Sequence, residues 1–303
     1  MPARKDFFNT FLALAVLRWS IGPLQILFTD LYPRGPFWPI WSKVFFGGDA
    51  ERQPLTAWDI AQKYGPEKRV CFREAAIAIL GAAAPITVAS WNTPCSRVPL
   101  VRAYADLVLR GLNLHPRTCY ARRGADGLPG DRIGKEVVIT YMARRSSEWP
   151  ERKFCDTQRS FFDCSLLDHL KTRKLGRQIS NDKDVVAMLK RLETTEFSNG
   201  AVVRARDVDF NVLSFEEQIE IDATTDVMIG PHGAGLMHNI FMPDRATLIE
   251  LFVDGSSANR HFHNLAHWAG RAYTGKVMSN PVNIGELESA IKLAITRMDI
   301  DGC

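Results

Sequence analysis

The most informative stretch of this chain is Asp226-Val-Met-Ile-Gly-Pro-His-Gly-Ala-Gly-Leu-Met-His-Asn-Ile-Phe-Met-Pro-Asp-Arg-Ala-Thr-Leu-Ile-Glu-Leu-Phe252. Its pattern predicts a strand, a glycine-rich turn, a short helix and a second strand. Three glycines, which tolerate left-handed backbone conformations, follow the first strand at Gly230, Gly233 and Gly235. A helix is expected from about Ala234, and the first amide N–H groups of a helix lack intrahelical partners and carry the positive end of its dipole. The stretch therefore predicts an anion site, and a diphosphate is a common occupant of such a site.

His232 and Glu250 favour a binding role for this stretch over a plain turn. An imidazole between Pro231 and Gly233, at the carboxyl end of a strand, places a hydrogen-bond donor beside a phosphate or a developing charge. Glu250 lies inside the apolar run from Ala246 to Phe252, where a carboxylate can accept two hydrogen bonds from a ribose diol. Two alternatives stay open here: a tight strand-to-helix connection of any α/β domain, and a glutamate in a salt bridge.

The length and composition are those of an ordinary globular protein. The 303 residues suffice for two domains, and hydrophobic and charged fractions of 46% and 24% exclude disordered and collagen-like classes. The formal net charge of +4 is too small to indicate a nucleic-acid partner, but it suits an anionic small molecule. The six cysteines form no Cys-x-x-Cys pair, so no zinc site is predicted.

The first half of the chain shows helical patterns at Phe7 to Trp19, Trp38 to Phe45 and Val98 to Leu112. Arg69 to Leu80 is expected to be a strand that runs into a helix or a second strand. Arg117 to Arg132 is rich in arginine, glycine and aspartate, as interdomain linkers are. We therefore expect two domains, one formed by residues 1–134 and one by residues 135–303.

Strand and helix patterns alternate through the second half. Strands are predicted at Val137 to Met142 and Ala201 to Ala205, and helices at Lys183 to Leu192 and Phe215 to Ala223. Asn181 or Asp182 is expected to cap the first of these helices. This alternation predicts an α/β fold with a parallel, doubly wound sheet.

The strand at Val137 to Met142 ends in a second pattern suited to phosphate. It continues as Ala143-Arg144-Arg145-Ser-Ser147, and arginines with hydroxyl groups at the carboxyl end of a strand can bind a phosphate group. A solvated basic turn is the alternative. Glu148 to Lys174, which follows, is expected to be an insertion loop.

Several of these motifs together resemble glycosyltransferase family 61, and within it the EGF-domain-specific O-GlcNAc transferases. The strongest match is Ile229-Gly-Pro-His-Gly-Ala-Gly-Leu-Met-His-Asn-Ile-Phe-Met-Pro243. Lys68-Arg-Val-Cys-Phe-Arg-Glu-Ala75 and Leu100-Val-Arg-Ala-Tyr-Ala-Asp-Leu-Val-Leu-Arg-Gly-Leu-Asn113 are also similar to those enzymes. Three further matches follow in the order of the family: Ala143-Arg144, Arg177-x-Ile-x-Asn181 and Phe215-Glu-Glu-Gln-Ile219.

The resemblance implies a GT-B fold, in which two Rossmann-like domains face a cleft and the second domain binds a UDP-sugar. It further implies inversion at the anomeric carbon and no metal ion or other cofactor. Arginines and helix dipoles would then offset the charge of the leaving diphosphate. Asp207-Val-Asp209 has the pattern of a metal-binding triplet, but it lies outside the matched motifs. The substrate-binding residues expected from the residue patterns and the resemblance are Arg144, Arg177, Glu217, His232, Gly233, Ala234, Gly235, His238 and Glu250.

Inversion requires a base that deprotonates the acceptor hydroxyl, and we expect the first domain to supply it. Asp6, in Asp6-Phe-Phe-Asn9, matches a carboxylate of the family, and His232 is expected to orient the phosphate. Pro2 and Ala3 stand near the place of a histidine in relatives, so we expect a truncated N-terminus and weak transfer.

The expected acceptor is a glycoprotein, a protein hydroxyl or a glycan, and no nucleic-acid partner is expected. The family resemblance implies the lumen of the endoplasmic reticulum or Golgi, with membrane contact only through an upstream segment, since no signal or anchor is visible here. Two alternatives stay open: a β-1,2-xylosyltransferase acting on N-glycans, and a non-catalytic protein that binds nucleotide sugars.

Overall fold

The computed structural model describes most of the chain in separate ranges. The described residues are 2–21, 24–29, 37–47, 52–78, 97–114, 135–145, 176–253 and 259–298, together with Asp49 and Ile300. The linker predicted at Arg117 to Arg132 and the insertion predicted at Glu148 to Lys174 lie outside these residues.

The N-terminal part is mainly helical. Its elements are α1 (Pro2–Leu17), β1 (Leu27–Phe28), α2 (Trp38–Phe46), β2 (Leu55–Thr56), α3 (Ala57–Tyr64) and α4 (Pro99–Gly111). The two short strands pair in parallel. α2 and α4 both carry a proline in their first turn, where its missing N–H costs no hydrogen bond. No helix in the described part of the chain combines the length and the apolar character that a membrane span requires.

The strand expected to begin at Arg69 is wrong, because residues 69–78 contain neither helix nor strand. The apolar side chains of Phe72 and Ile77 are exposed, so they bury no surface that would stabilise a regular element. The part of residues 1–114 that the structure describes has one two-stranded sheet. A Rossmann-like first domain facing a cleft, and the boundary at residue 134, therefore stay predictions.

The C-terminal part alternates strand and helix as predicted. Its elements are β3 (Glu136–Ala143), α5 (Asp182–Leu192), β4 (Val202–Asp209), α6 (Phe215–Ala223), β5 (Val227–Pro231), β6 (Thr247–Phe252), α7 (His261–Trp268), β7 (Ala272–Val277) and α8 (Ile284–Thr296). Two 3₁₀ helices, Phe210–Val212 and Ala234–Phe241, follow β4 and β5. Asn181 occupies the N-cap position of α5, as predicted, but its side chain binds the backbone of Val282 and makes no capping hydrogen bond.

The five strands form one parallel sheet in the order β4-β3-β5-β6-β7. The central strands β5 and β6 are buried at every residue, and β3 at every residue but the first, because helices cover both faces of the sheet. One face packs on α5 and α8 through Val185, Leu189 and Ile291. The predicted parallel α/β sheet is therefore confirmed.

The other face of the sheet carries the second 3₁₀ helix and α7, and the N-terminal helices pack outside this layer. An aromatic chain makes the connection: Phe8 of α1 meets Tyr104 of α4 edge-on with ring centroids 5.2 Å apart, and Tyr104 lies 6.3 Å from Phe241. The N-terminal helices are thus fixed to the segment that follows β5.

Candidate functional site

The candidate site lies where β3 and β5 end side by side. The chain runs from β3 to the edge strand β4 on one side, and then returns to β5 on the other side of β3. This reversal leaves a crevice at the carboxyl ends of the two strands, which is where open parallel α/β sheets bind ligands. Arg144 directly follows β3, and His232 directly follows β5. The sheet therefore brings two of the predicted site residues together.

Two guanidinium groups converge on the backbone carbonyl of His232. Arg144 Nη1 donates to this oxygen over 3.3 Å, and Arg177 Nη1 donates to it over 3.1 Å. Burial lowers the pKa of Arg144, and the positive charge of Arg177 lowers it further. The two arginines lie 33 positions apart in the sequence, and the fold brings their side chains to the same carbonyl oxygen. Whether a phosphate binds them stays a prediction.

The His232 ring is held by a buried carboxylate and aromatic neighbours. Its Nδ1 contacts Glu250 Oε1, and Tyr273 Oη donates to Glu250 Oε2 over 2.7 Å. The ring stacks on Phe252 with centroids 5.5 Å apart. Since Nδ1 is engaged, Nε2 is the ring nitrogen that can meet a ligand.

Glu250 itself has no exposed surface. Both of its carboxylate oxygens are bound by protein groups, so contact with a ribose diol would require one of these bonds to break. The geometry favours an orienting role for Glu250, and the predicted ribose contact has no structural support. Tyr273 is a member of this network that no sequence motif indicated. Burial is the main cause that raises the pKa of Tyr273, and Glu250 adds to it.

Gly230 within β5 and Gly233 and Gly235 after it serve close packing rather than left-handed turns. None of the three adopts a left-handed backbone conformation, and Gly233 is extended with φ 175°. A Cβ added at Gly233 would lie 2.7 Å from Arg144 Nη1, and a Cβ at Gly235 would collide with Met142 Sδ. The conformational reason expected for these glycines is therefore wrong. A side chain there would instead displace the residues at the end of β3.

The family model described as Glycosyltransferase 61 matches residues 86–249, more than half of the chain. The matched region includes β3, β5 and the His232 turn. The chain belongs to glycosyltransferase family 61.

Three proteins similar to this chain share the name EGF domain-specific O-linked N-acetylglucosamine transferase. The protein from Pan troglodytes is 31% identical over 203 residues, which cover 65% of this chain and 29% of the relative. The Bos taurus protein is 30% identical over 68% of this chain and 30% of its own length. The Drosophila melanogaster protein is 25% identical over 82% of this chain and 37% of its own length. The family 61 chain thus aligns with about a third of each of these relatives.

Two other predicted substrate-binding residues, His238 and Glu217, bind partners within the protein that stabilise the fold. His238 is buried, its Nδ1 contacts Asp222 Oδ2, and the rings of Phe210 and Phe215 surround it. Glu217 closes a capping box at the start of α6, where it accepts from the Ser214 backbone N–H over 2.7 Å. These partners account for the positions of both side chains without a ligand. The contacts of His238 and Glu217 with a substrate stay predictions.

Asp6 lies on α1, one residue before the buried Phe7 and Phe8. α1 packs on α4 and, through Tyr104, reaches the 3₁₀ helix that contains Ala234 and Gly235. The fold therefore ties the helix of Asp6 to the candidate site, and the role of Asp6 as a base stays a prediction.

Arg145 differs from its neighbour Arg144. Its side chain donates to Asp182 over 2.7 Å and to Asp207 over 2.5 Å, and its backbone N–H donates to Asp209 over 3.1 Å. The hydrogen bond to Asp182, supported by Asp207, raises the pKa of Arg145. The two arginines of the predicted phosphate pattern thus separate: Arg144 turns to the crevice and Arg145 joins the Asp207-Val-Asp209 segment to α5.

Proposed function

We propose that this chain binds a UDP-sugar and transfers its N-acetylglucosamine to a hydroxyl group of a protein or glycoprotein, with inversion and without a metal ion. The observation that carries the proposal is the convergence of Arg144 and Arg177 on the carbonyl of His232, at the carboxyl ends of β3 and β5. The donor sugar follows the printed name of the relatives, which are N-acetylglucosamine transferases.

The electrostatics of the crevice favour an anionic ligand. Burial lowers the pKa of Arg144, and Arg177 lowers it further because the two positive charges repel each other. A diphosphate placed between them would relieve this repulsion, and arginine binds phosphate oxygens through two parallel N–H donors. The start of the 3₁₀ helix at Ala234 would add the positive end of its dipole on the same side.

His232 would act on the leaving group. Its ring is fixed by Glu250, which Tyr273 fixes in turn, so Nε2 keeps one direction. A fixed donor beside the leaving diphosphate stabilises the charge that develops on it without reorganisation during the reaction. In this proposal Arg144, Arg177 and His232 replace the charge that a metal ion supplies in other transferases. The base is Asp6, within a GT-B arrangement in the lumen of the endoplasmic reticulum or Golgi.

Calorimetric titration of the 303-residue chain with UDP, UDP-N-acetylglucosamine and UDP-xylose tests the donor. We expect UDP to bind and UDP-N-acetylglucosamine to bind at least as tightly in the presence of EDTA. Tighter binding of UDP-xylose would favour a xylosyltransferase, and absence of all binding would contradict the proposal.

Transfer to a folded EGF domain, followed by mass spectrometry, tests the reaction itself. Asp6→Asn should retain donor affinity and lose transfer, because a base is needed only in the chemical step. If the wild-type chain binds UDP and transfers nothing under any condition, the non-catalytic alternative holds. If Asp6→Asn transfers at the wild-type rate, the base is another residue.

A further inference from the structure

A cavity lies beside the candidate site, at the carboxyl ends of β6 and β7. Its volume is about 370 Å³, which is within the range of small-molecule sites. Phe252 and Val277 end the two strands, Tyr273 contributes from within β7, and Arg260 and His263 come from the start of α7. Of these residues, only Phe252 belongs to the stretch from Asp226 to Phe252.

The wall of the cavity combines aromatic rings with hydrogen-bond donors. The rings of His263 and Tyr273 meet at a right angle with centroids 4.9 Å apart, and Arg260 Nη2 lies 3.4 Å from both nitrogens of His263. Asn259 also lines the cavity, and its Oδ1 accepts from the His261 backbone N–H. The remaining group of that amide can only donate. Rings offer a surface for stacking, and the donors suit a flat ligand edged with carbonyl oxygens.

The cavity connects directly to the residues of the candidate site. Phe252 lines it on one side and stacks on the His232 ring on the other. Tyr273 lines it and donates to Glu250, which holds His232. A ligand with one end at Arg144 and Arg177 could therefore extend past His232 and place its other end over β6 and β7.

We propose that this cavity holds the base of the donor nucleotide, and that Arg260 and Asn259 select a base with carbonyl acceptors, as uracil has. The inference rests on the proposed function, because it places the diphosphate of the same ligand at the His232 turn. Tyr273, which is only partly buried, provides the stacking surface, and the guanidinium of Arg260 meets a carbonyl at the rim.

Filling the cavity from its rim tests the location. Val277 is 56% exposed and ends the edge strand β7, so Val277→Trp should fold and project a ring into the cavity. We expect at least tenfold weaker binding of UDP and an unchanged affinity for inorganic pyrophosphate, which needs only the arginines. Val202→Trp is the matched control, since Val202 is 49% exposed on the opposite edge strand β4.

The outcomes separate this inference from the proposed function. Equal UDP affinity of wild type and Val277→Trp would overturn the cavity as the base site while UDP binding itself stands. Weaker binding of UDP-N-acetylglucosamine without weaker binding of UDP would also overturn it, because the cavity would then hold the sugar. If the wild-type chain binds neither UDP nor pyrophosphate, the proposed function fails, and this site fails with it.

A second variant tests the selection without altering the strand. Arg260→Met keeps most of the side-chain length of this exposed residue and removes its donors. The wild-type chain should prefer UDP over CDP, because cytosine carries an amino donor where uracil has a carbonyl oxygen. In Arg260→Met this preference should fall at least fivefold. A preference that stays unchanged in a folded Arg260→Met variant would overturn the role of Arg260.

Discussion

His232 and His238 lie six residues apart in one segment, and each binds a buried carboxylate through Nδ1. Around His232 the chain places the end of a strand, two guanidinium groups and a cavity. Around His238 it places Phe210, Phe215 and Phe241, which enclose the ring. Two histidine–carboxylate pairs of similar geometry therefore have different surroundings: one faces a ligand crevice and the other faces the core.

A histidine–carboxylate pair therefore has no function of its own. A buried pair fixes the direction of a ring, and the surroundings decide what the remaining nitrogen meets. At His232 that direction leads to the end of the sheet where α/β folds bind ligands. At His238 the pair joins α6 to the second 3₁₀ helix, so we expect its loss to lower stability rather than donor affinity.

The largest effect is expected from Asp222→Ala, which removes the buried partner of His238. The loss should lower the free energy of unfolding by about 3 kcal/mol, because a buried polar group is left without its bond. Urea denaturation measures this loss. Asp106→Ala is the control, since Asp106 forms a partly exposed i,i+4 ion pair with Arg102 on α4 and its removal should cost less than ~0.5 kcal/mol. Equal losses in the two variants would show that the pair of His238 and Asp222 contributes no more to stability than a surface ion pair.

Gly235→Ala should have the next largest effect. A Cβ there collides with Met142, and such overpacking costs about 1–3 kcal/mol. Thermal denaturation measures the stability of Gly235→Ala and of its control, Gly176→Ala. A Cβ at Gly176 meets nothing within 4 Å, so this control reports only the loss of chain entropy in the unfolded state. We expect Gly176→Ala to be neutral or slightly stabilising. A neutral Gly235→Ala would show that Met142 adapts at no cost.

Arg144→Lys should lower the affinity for UDP about tenfold, or ~1.4 kcal/mol, because a lysine keeps the charge and loses the fork of donors. Stability should change little. The control is Arg145→Lys, whose side chain binds Asp182 and Asp207 instead of facing the crevice. The same loss of UDP affinity in both variants would mean that only the net charge of this strand end matters.

The smallest effect is expected from Tyr273→Phe, which removes the hydrogen bond to Glu250. Turnover should fall by a factor of about five to ten, matching a net hydrogen bond of ~1 kcal/mol, with UDP affinity nearly unchanged. A loss of turnover with constant affinity would identify Tyr273 as a residue that positions His232. A loss of stability without any change in turnover would place it with His238 instead.

The sequence predicted much of the second half of the chain. The apolar runs at Val137 to Met142 and Val227 to Ile229 became β3 and β5, and the helical patterns at Lys183 to Leu192 and Phe215 to Ala223 became α5 and α6 within one residue at each end. These elements carry their own hydrophobic period, which local sequence shows directly. α7 and β7 were missed, since β7 is an edge strand with mixed burial and no apolar run.

For the site, the sequence determined which residue types lie at the carboxyl ends of β3 and β5, and the family to which these motifs belong. Three contacts follow from the fold alone: Arg177 joins Arg144 at the carbonyl of His232, Arg145 turns away to Asp182 and Asp207, and Tyr273 binds Glu250. The physical reason is that the order of the strands in the sheet determines which of these residues come into contact. A parallel sheet brings together residues that lie far apart in the chain, and side-chain direction at a strand end depends on partners that local patterns do not contain.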